Sequence, residues 1–175
     1  ITNNFDTGVS IVGGIYGVGF MNNTFHGNTI TNNGKGVSLG LLAGDTFSGN
    51  NITNNSQYSI LLSSSLNNSI IGNTITNNGG GIVFNSGSTN NVFRGNSMTN
   101  NSRNFVFDRV DSLVNDVDPS NTVDGKPVYY WVNKRDATVP TDAGDVVLAN
   151  CTSITVQDLN LTAKGAGIHL VGTTN

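Results

Sequence analysis

Most of the charged side chains in this 175-residue chain lie between residues 108 and 145. That segment holds 12 of the 19 charged residues, all three prolines and the single tryptophan. Eight of its charged residues form an acidic and a basic group: Asp108, Asp111, Asp116 and Asp118, and Arg109, Lys126, Lys134 and Arg135. Carboxylates clustered with cations could support a polysaccharide lyase or hydrolase, and their oxygens could bind Ca²⁺. A solvated charged loop is the simpler interpretation.

The first 107 residues carry few groups that could do chemistry. Their charged residues are Asp6, Lys35, Asp45, Arg94 and Arg103. A glycosidase needs two carboxylates at a fixed separation, and Asp6 and Asp45 occupy different positions of the repeat described below. We therefore predict no catalytic residue and a protein that is not an enzyme. A carbohydrate lyase or hydrolase that uses the acidic cluster remains the enzymatic alternative.

Two aromatic residues are the best indication of a ligand. Lys126–Asn133 has the alternation of a strand, and if Val128 and Tyr130 point inward, then Tyr129 and Trp131 point outward. Outward aromatic rings can stack on a sugar ring, or they can be covered by a neighbouring loop or domain. We favour cover by protein and keep Tyr129 and Trp131 as candidate carbohydrate-binding residues.

Metal and cofactor sites have little support in the sequence. His26 and His169, the two histidines, are far apart in the chain. The single cysteine, Cys151, cannot form an internal disulfide and is expected to be a small buried side chain. We predict no metal site and no cofactor.

Seven asparagines stand in the Asn-x-Ser/Thr pattern of N-glycosylation acceptors. They are Asn22, Asn51, Asn54, Asn67, Asn100, Asn150 and Asn160. With 29 Asn in so Ser- and Thr-rich a chain, about six would arise by chance, so the number itself is no enrichment. They are candidate acceptors if the protein is exported.

Composition excludes several classes of protein. Glu is absent and strong helix formers make up only about a sixth of the residues, which excludes a helical bundle. Apolar runs are far shorter than the ~18 residues of a membrane span. A net charge of −3 with 11% charged residues gives no basic surface for nucleic acid.

A repeat of 22–23 residues runs through the chain and predicts its fold. The phrase Asn-x-Ile-Thr-Asn-Asn recurs, with its apolar position at Ile30, Ile52, Ile75 and Met98. Three further apolar columns keep the same step: Phe25, Phe47, Ile70 and Phe93; Val9, Val37, Ile60, Ile82 and Phe105; and Ile11, Leu39, Leu62, Phe84 and Phe107. Each repeat therefore has three short alternating strands, which predicts an all-β, right-handed parallel β-helix of about seven coils. The first coil has an insertion near Gly13 to Gly19.

Asparagine and glycine fill the bends between these strands. Both tolerate left-handed backbone conformations, and stacked Asn side chains can hydrogen-bond from coil to coil. Three columns are predicted to form such ladders: Asn28/50/73/96, Asn32/54/77/100 and Asn33/55/78/101.

The period continues through the irregular segment 108–145. Val128 lies 23 residues after Phe105, and Val146 and Leu148 lie 22 before Ile168 and Leu170. Ile154 and Leu159 keep the spacing of Phe25 and Ile30. We expect residues 1–175 to be one β-helix segment of a longer protein, with loops at Asp108–Ser120 and Lys134–Asp145.

These motifs resemble a known family. The Gly-Asn-Thr-Ile-Thr-Asn-Asn repeats, the phrase from Asn121 to Asn133 and the phrase Val147–Thr152 are similar to NosD-type β-helix repeat proteins. That group includes large archaeal cell-surface proteins, and a broader group includes carbohydrate-binding proteins and sugar hydrolases. The resemblance implies a saccharide as the default ligand. The family's copper-delivery role is not carried over, since the chain has no copper-ligand motif.

Together these features predict a non-catalytic structural segment of an exported cell-surface or extracellular-matrix protein. Because both ends lie within a repeat, they leave strand edges that need further coils or end-to-end self-association into fibres. A polysaccharide-binding module is the alternative.

Overall fold

The computed structural model describes residues 1–13, 19–107, 114–161 and 167–174. The expected insertion near Gly13 to Gly19 and the candidates Asp108, Arg109 and Asp111 fall wholly or largely outside these ranges. In chain order the strands are β1 (Thr7–Val12), β2 (Gly19–Phe20), β3 (Thr24–His26), β4 (Thr29–Thr31), β5 (Lys35–Gly40), β6 (Leu42–Ala43), β7 (Thr46–Ser48), β8 (Asn51–Thr53), β9 (Tyr58–Ser63), β10 (Ser69–Ile71), β11 (Thr74–Thr76), β12 (Ile82–Asn85), β13 (Val92–Arg94), β14 (Ser97–Thr99), β15 (Phe105–Phe107), β16 (Asp116–Val117), β17 (Thr122–Val123), β18 (Lys126–Val132), β19 (Arg135–Thr138), β20 (Asp145–Ala149), β21 (Thr152–Thr155) and β22 (Ile168–Val171).

Three parallel sheets wind around one core, as the repeat predicts. Sheet 1 stacks β3, β7, β10, β13 and β16; sheet 2 begins with β4, β8, β11, β14 and β17; and sheet 3 stacks β1, β5, β9, β12 and β15. A bridge from Thr2 to Thr31 adds a first rung to sheet 2, which gives about six turns instead of the seven expected. The molecule is a parallel β-helix.

The predicted apolar columns are confirmed in register. Ile30, Ile52, Ile75 and Met98 are aligned on adjacent strands of sheet 2, and Phe25, Phe47, Ile70 and Phe93 are aligned in sheet 1. The two columns that start at Val9 and Ile11 are aligned in sheet 3. Short strands of one or two inward side chains each thus bury a continuous core.

Three buried ladders of side-chain hydrogen bonds connect the turns. Two were predicted, and they run Asn28–Asn50–Asn73–Asn96–Asn121 and Asn4–Asn33–Asn55–Asn78–Asn101. The third runs Asn23–Asp45–Asn68–Asn91–Asn115. At each amide rung the backbone N–H and the side-chain Nδ2 both donate to Oδ1 of the next turn, for example from Asn50 to Asn73 at 2.9 Å each.

The remaining predicted column, Asn32/54/77/100, does not form a ladder of this kind. These asparagines are exposed, because each lies in a left-handed corner that turns its side chain away from the core. Asn100 donates to Asn77 at 2.6 Å. The side-chain amides of Asn32 and Asn54 make no hydrogen bond to the described part of the chain. The prediction of a third ladder at this column was therefore wrong.

The chain reverses direction after β17. Asp124 and Gly125, with φ of 47° and 80°, form a two-residue turn, and β18 pairs antiparallel with β17. Two positive φ values with the pair Asp-Gly are typical of a type I′ hairpin. The strand at Lys126–Val132 is confirmed, but among the described residues it pairs with β17 and β20, and not with β15 as the period suggested.

β18, β20 and β22 form a parallel layer that extends sheet 2 and packs over the last turns. Its inner face presents Val128, Tyr130 and Val147 to the main core, and the Tyr130 ring lies 6.3 Å from that of Phe105. The rings of Phe107 and His169 are 5.5 Å apart. The layer therefore covers the C-terminal end of the core.

A second apolar cluster forms on the outer face of this layer. Its buried members are Val139, Ala143, Val146, Leu148 and Cys151, and Tyr129, Trp131, Ile154, Val156, Leu159 and Leu161 pack against them. Ile154 and Leu159 thus belong to this cluster and not to the columns of Phe25 and Ile30. Two segments expected to be loops contain short strands in their described parts, β16 and β19.

Candidate functional site

The acidic cluster is organised around an arginine that the sequence did not single out. Asp116 and Asp118 both form ion pairs with Arg94, Asp118 at 3.2 Å. The hydrogen bond that Arg94 donates to Asp116 raises the pKa of Arg94. Ser120 also donates its backbone N–H to Asp118 at 3.1 Å. Asp116 and Val92 are register partners in sheet 1, so Arg94 lies two residues further along the neighbouring strand. The repeat spacing of sheet 1 could therefore have indicated Arg94 as the partner of the acidic residues.

The basic residues of the irregular segment do not join this cluster within the described ranges. Lys126 donates to the backbone oxygen of Asn160 at 2.9 Å, and Lys134 lies over the Trp131 ring. Asp116 and Asp118 share the single guanidinium of Arg94 and therefore do not form an open pair of carboxylates. Among the described residues, no three His, Cys, Asp or Glu side chains come together as a metal site.

A serine and a histidine lie within hydrogen-bond distance on sheet 1. Nδ1 of His26 is 3.0 Å from Oγ of Ser48, which is the spacing of a nucleophile and its base. The nearby amides of Gly27 and Gly49 already donate to the carbonyls of Ser48 and Ile71. No carboxylate orients His26 in the described part of the chain. Among the residues that the structure describes, this pair therefore has neither the oxyanion donors nor the third group that such catalysis requires.

The outward aromatic pair is partly covered by protein. Tyr129 and Trp131 meet edge to face with ring centroids 6.1 Å apart, and both pack against the second cluster. The Tyr129 hydroxyl donates to Asp142 at 2.9 Å, and burial raises the pKa of Tyr129. Nζ of Lys134 lies 3.9 Å from the centroid of Trp131 and occupies one face of the ring. A sugar that stacks there must displace Lys134 or use the other face.

A polar groove runs along one corner of the helix, and the sequence did not indicate it. Two depressions of about 520 and 580 Å³ share Asn54 and Ser56. We call them the corner groove, which is lined by Asn32, Asn54, Asn77, Asn100, Ser56 and Ser102, with Phe5 at its N-terminal end. It follows the bend between sheets 2 and 3 across four turns.

All seven candidate glycosylation acceptors are exposed, whereas no buried ladder asparagine stands in an acceptor pattern. Two of them, Asn54 and Asn100, lie in the corner groove two turns apart. The acceptor pattern needs Ser or Thr two residues after the asparagine. In two of the ladders that position holds an inward apolar residue, as Phe25 follows Asn23 and Ile30 follows Asn28, so these ladder asparagines cannot be acceptors. Attached sugars at these seven positions would leave the ladders undisturbed.

The sequence profile described as a right-handed β-helix region matches residues 1–125. The chain therefore belongs to the right-handed β-helix family. The match ends at the Asp124–Gly125 turn, where the chain reverses. No curated protein and no solved structure shows significant similarity to the chain. Within the described residues, no helix has the length and apolar character to cross a bilayer.

Proposed function

We propose that this chain is a non-catalytic structural segment of an exported cell-surface or extracellular-matrix repeat protein. The observation that carries the proposal is the set of three buried ladders, in which almost every rung saturates its donors and acceptors. Together with parallel strands in constant register, they make the solenoid a stiff, largely uncharged rod. A rod of this kind suits a spacer or scaffold, and the exposed acceptor sites are compatible with export.

Self-association is part of the proposed role. The first turn leaves apolar side chains uncovered, with Ile1, Phe5 and Val12 exposed by 51%, 102% and 66%. The free edge of β1 lies at the same end. Further coils of the same kind, or a second copy stacked end to end, would cover both features.

The location of the protein tests the structural proposal directly. Antibodies against residues 1–175 should label the surface of intact cells that produce the protein, and external protease should remove the label. Labelling only after permeabilisation would contradict export. Electron microscopy of the purified segment should show rods that lengthen with concentration, and strictly monomeric particles at all concentrations would contradict end-to-end assembly.

A separate experiment tests the proposal that the chain is not an enzyme. Incubation with neutral and acidic polysaccharides should release neither reducing ends nor unsaturated products. Product formation that is lost on Asp116→Asn, with the exposed Asp136→Asn as control, would establish an enzyme at the Arg94 cluster instead.

A polysaccharide-binding module is the second candidate, which the partly exposed Trp131 favours. Retention of a glycan by the wild type and its loss in Trp131→Ala would support that function. The finer resemblance to NosD-type surface proteins fits either role and remains part of the proposal.

A further inference from the structure

The corner groove offers hydrogen-bonding groups that the fold itself does not use. We propose that it binds an extended, uncharged polysaccharide chain that lies parallel to the helix axis. This site is separate from Trp131, and the structural role does not depend on it, although end-to-end assembly would compete with the ligand for Phe5. The protein could act as a rigid spacer even if the groove bound no ligand.

The groove presents one asparagine per turn at the same backbone position of the repeat. Asn32, Asn54, Asn77 and Asn100 occupy equivalent corners with φ of 56°, 56°, 59° and 53°. Successive turns are separated by about 4.8 Å, the spacing of adjacent strands. A pyranose unit in an extended chain advances by a similar length, so successive sugars can meet successive amides.

The amides are available for a ligand at the N-terminal half of the groove. The side chains of Asn32 and Asn54 make no hydrogen bond to the described residues, in contrast to their buried neighbours Asn33 and Asn55, which donate to the next turn at 3.1 and 3.0 Å. A primary amide has two N–H donors and a carbonyl acceptor. Vicinal sugar hydroxyls, which both donate and accept, complement that arrangement.

The charge of the groove selects an uncharged ligand. Its lining consists of Asn, Ser and Gly with one aromatic residue. Within the described ranges, the carboxylate hydrogen-bonded to it is Asp124, which accepts from the backbone N–H of Asn100 at 3.2 Å at the C-terminal end. The lining itself offers no cation to a polyanion, so acidic polysaccharides are disfavoured.

A fully exposed aromatic ring lies at the N-terminal end of the groove. Phe5 lines the groove beside Asn32 and Gly34. Its exposed fraction is 102%, so both faces of the ring are accessible to a ligand. The flat Phe5 ring can stack on the apolar face of a pyranose, which would fix the end of the chain.

Binding of matched oligosaccharides tests the proposal. The protein is produced in a host without N-glycosylation, because sugars on Asn54 or Asn100 would occupy the groove. Titration calorimetry compares neutral hexasaccharides of β-1,4-glucan and mannan with the hexasaccharide of polygalacturonate. The wild type should bind at least one neutral hexasaccharide and bind the acidic one at least tenfold more weakly.

Asn32→Gly and Asn54→Gly remove the amides while keeping the left-handed corner, since glycine tolerates positive φ. Each should weaken binding about fivefold, the loss of about one hydrogen bond, and Phe5→Ala should do the same. Asn133→Gly is the matched control, because Asn133 is exposed with φ of 56° and lies outside the groove. It should bind as the wild type does.

Two results would overturn the proposal. One is the absence of binding to every neutral hexasaccharide, and the other is unchanged binding in the Asn32 and Asn54 variants. Binding lost only in Trp131→Ala would move the site to the aromatic pair. Neither result affects the structural role, which is judged by cell-surface location and rod assembly.

Discussion

The backbone N–H and the side-chain Nδ2 of Asn23 both donate to a single carboxylate oxygen, Oδ1 of Asp45, at 2.7 and 3.1 Å. Asp45 thus occupies a rung of an asparagine ladder. Its own N–H donates to Asn68 in the usual way at 2.9 Å. Its Oδ2, however, is buried without a hydrogen-bond partner in the described structure, at the position where an asparagine would carry its donating Nδ2.

Restoring the amide at this rung should stabilise the fold. In Asp45→Asn the new Nδ2 can donate to Asn68, as Asn68 donates to Asn91 at 3.0 Å. We expect the free energy of unfolding to rise by about 1–3 kcal/mol, the cost of an unsatisfied buried polar group. Urea denaturation measures the change. Asn68→Asp, which places a second carboxylate on the adjacent rung, should lower the free energy of unfolding, and changes of the opposite sign in the two variants would refute the explanation.

Stability should depend on pH through Asp145. This carboxyl is 1% exposed, neither of its oxygens has a hydrogen-bond partner in the described structure, and burial raises its pKa from 3.8 to about 8. Between these values the folded state keeps a proton that the unfolded state has lost. The free energy of unfolding should therefore decrease as pH rises from about 4 to about 8, by at most about 1.4 kcal/mol per unit. Above that range the contribution stays constant.

Asp145→Asn separates this group from the other titrating residues. Denaturation of both proteins at several pH values gives the difference in slope, and the variant should have the flatter curve. Equal slopes would mean that Asp145 ionises in the folded protein as it does in the unfolded chain.

Ladder asparagines and corner asparagines should respond differently to substitution. Asn73 accepts both the backbone N–H and the Nδ2 of Asn50, so Asn73→Ala leaves two buried donors without an acceptor. We expect a loss of about 3 kcal/mol or more in the free energy of unfolding. Asn77→Gly, at an exposed left-handed corner, should stay within about 0.5 kcal/mol of the wild type. Similar losses in both variants would show that the ladders add no special stability.

Loss of a phenylalanine from the buried stack should lower the free energy of unfolding far more than loss of an exposed one. Phe84 is fully buried, and its ring centroid lies 5.3 Å from that of Phe93 and 5.2 Å from that of Phe107. Phe84→Ala should lower the free energy of unfolding by about 3–5 kcal/mol through the lost contacts and the cavity. Phe5→Ala, which removes a fully exposed ring, should change it by less than about 0.5 kcal/mol. Thermal unfolding of both variants tests the contrast.

Periodicity made the solenoid readable from the sequence, because every turn repeats the same inward positions. The columns of Ile30 and Phe25, and two of the ladders, follow directly from the 22–23-residue step. The ladder through Asp45 has an equally regular signal, since its members lie two residues before the Phe25 column, as Asn28 lies two before Ile30. This ladder was not predicted because Asp45 takes the place of an asparagine in one rung.

The C-terminal layer could not be derived in the same way. A period gives the spacing of Val128 from Phe105, but it carries no information about strand direction. The reversal depends on a local signal, the Asp124–Gly125 pair. Asp-Gly favours the two positive φ values that a two-residue hairpin turn requires. Likewise, the position of Asn32 beside a ladder residue does not reveal that its corner turns outward.

The direction of the ladder bonds affects how the protein can change in evolution. Each turn donates to the one that follows, so an inserted duplicate of about 23 residues would find its donors and acceptors already in place. The hairpin at Asp124–Gly125 lies outside these ladders, so a duplicated turn fits this pattern of bonds before the hairpin. Duplication or deletion of the gene segment that encodes one turn would lengthen or shorten the solenoid and the corner groove together. The C-terminal layer would stay unchanged.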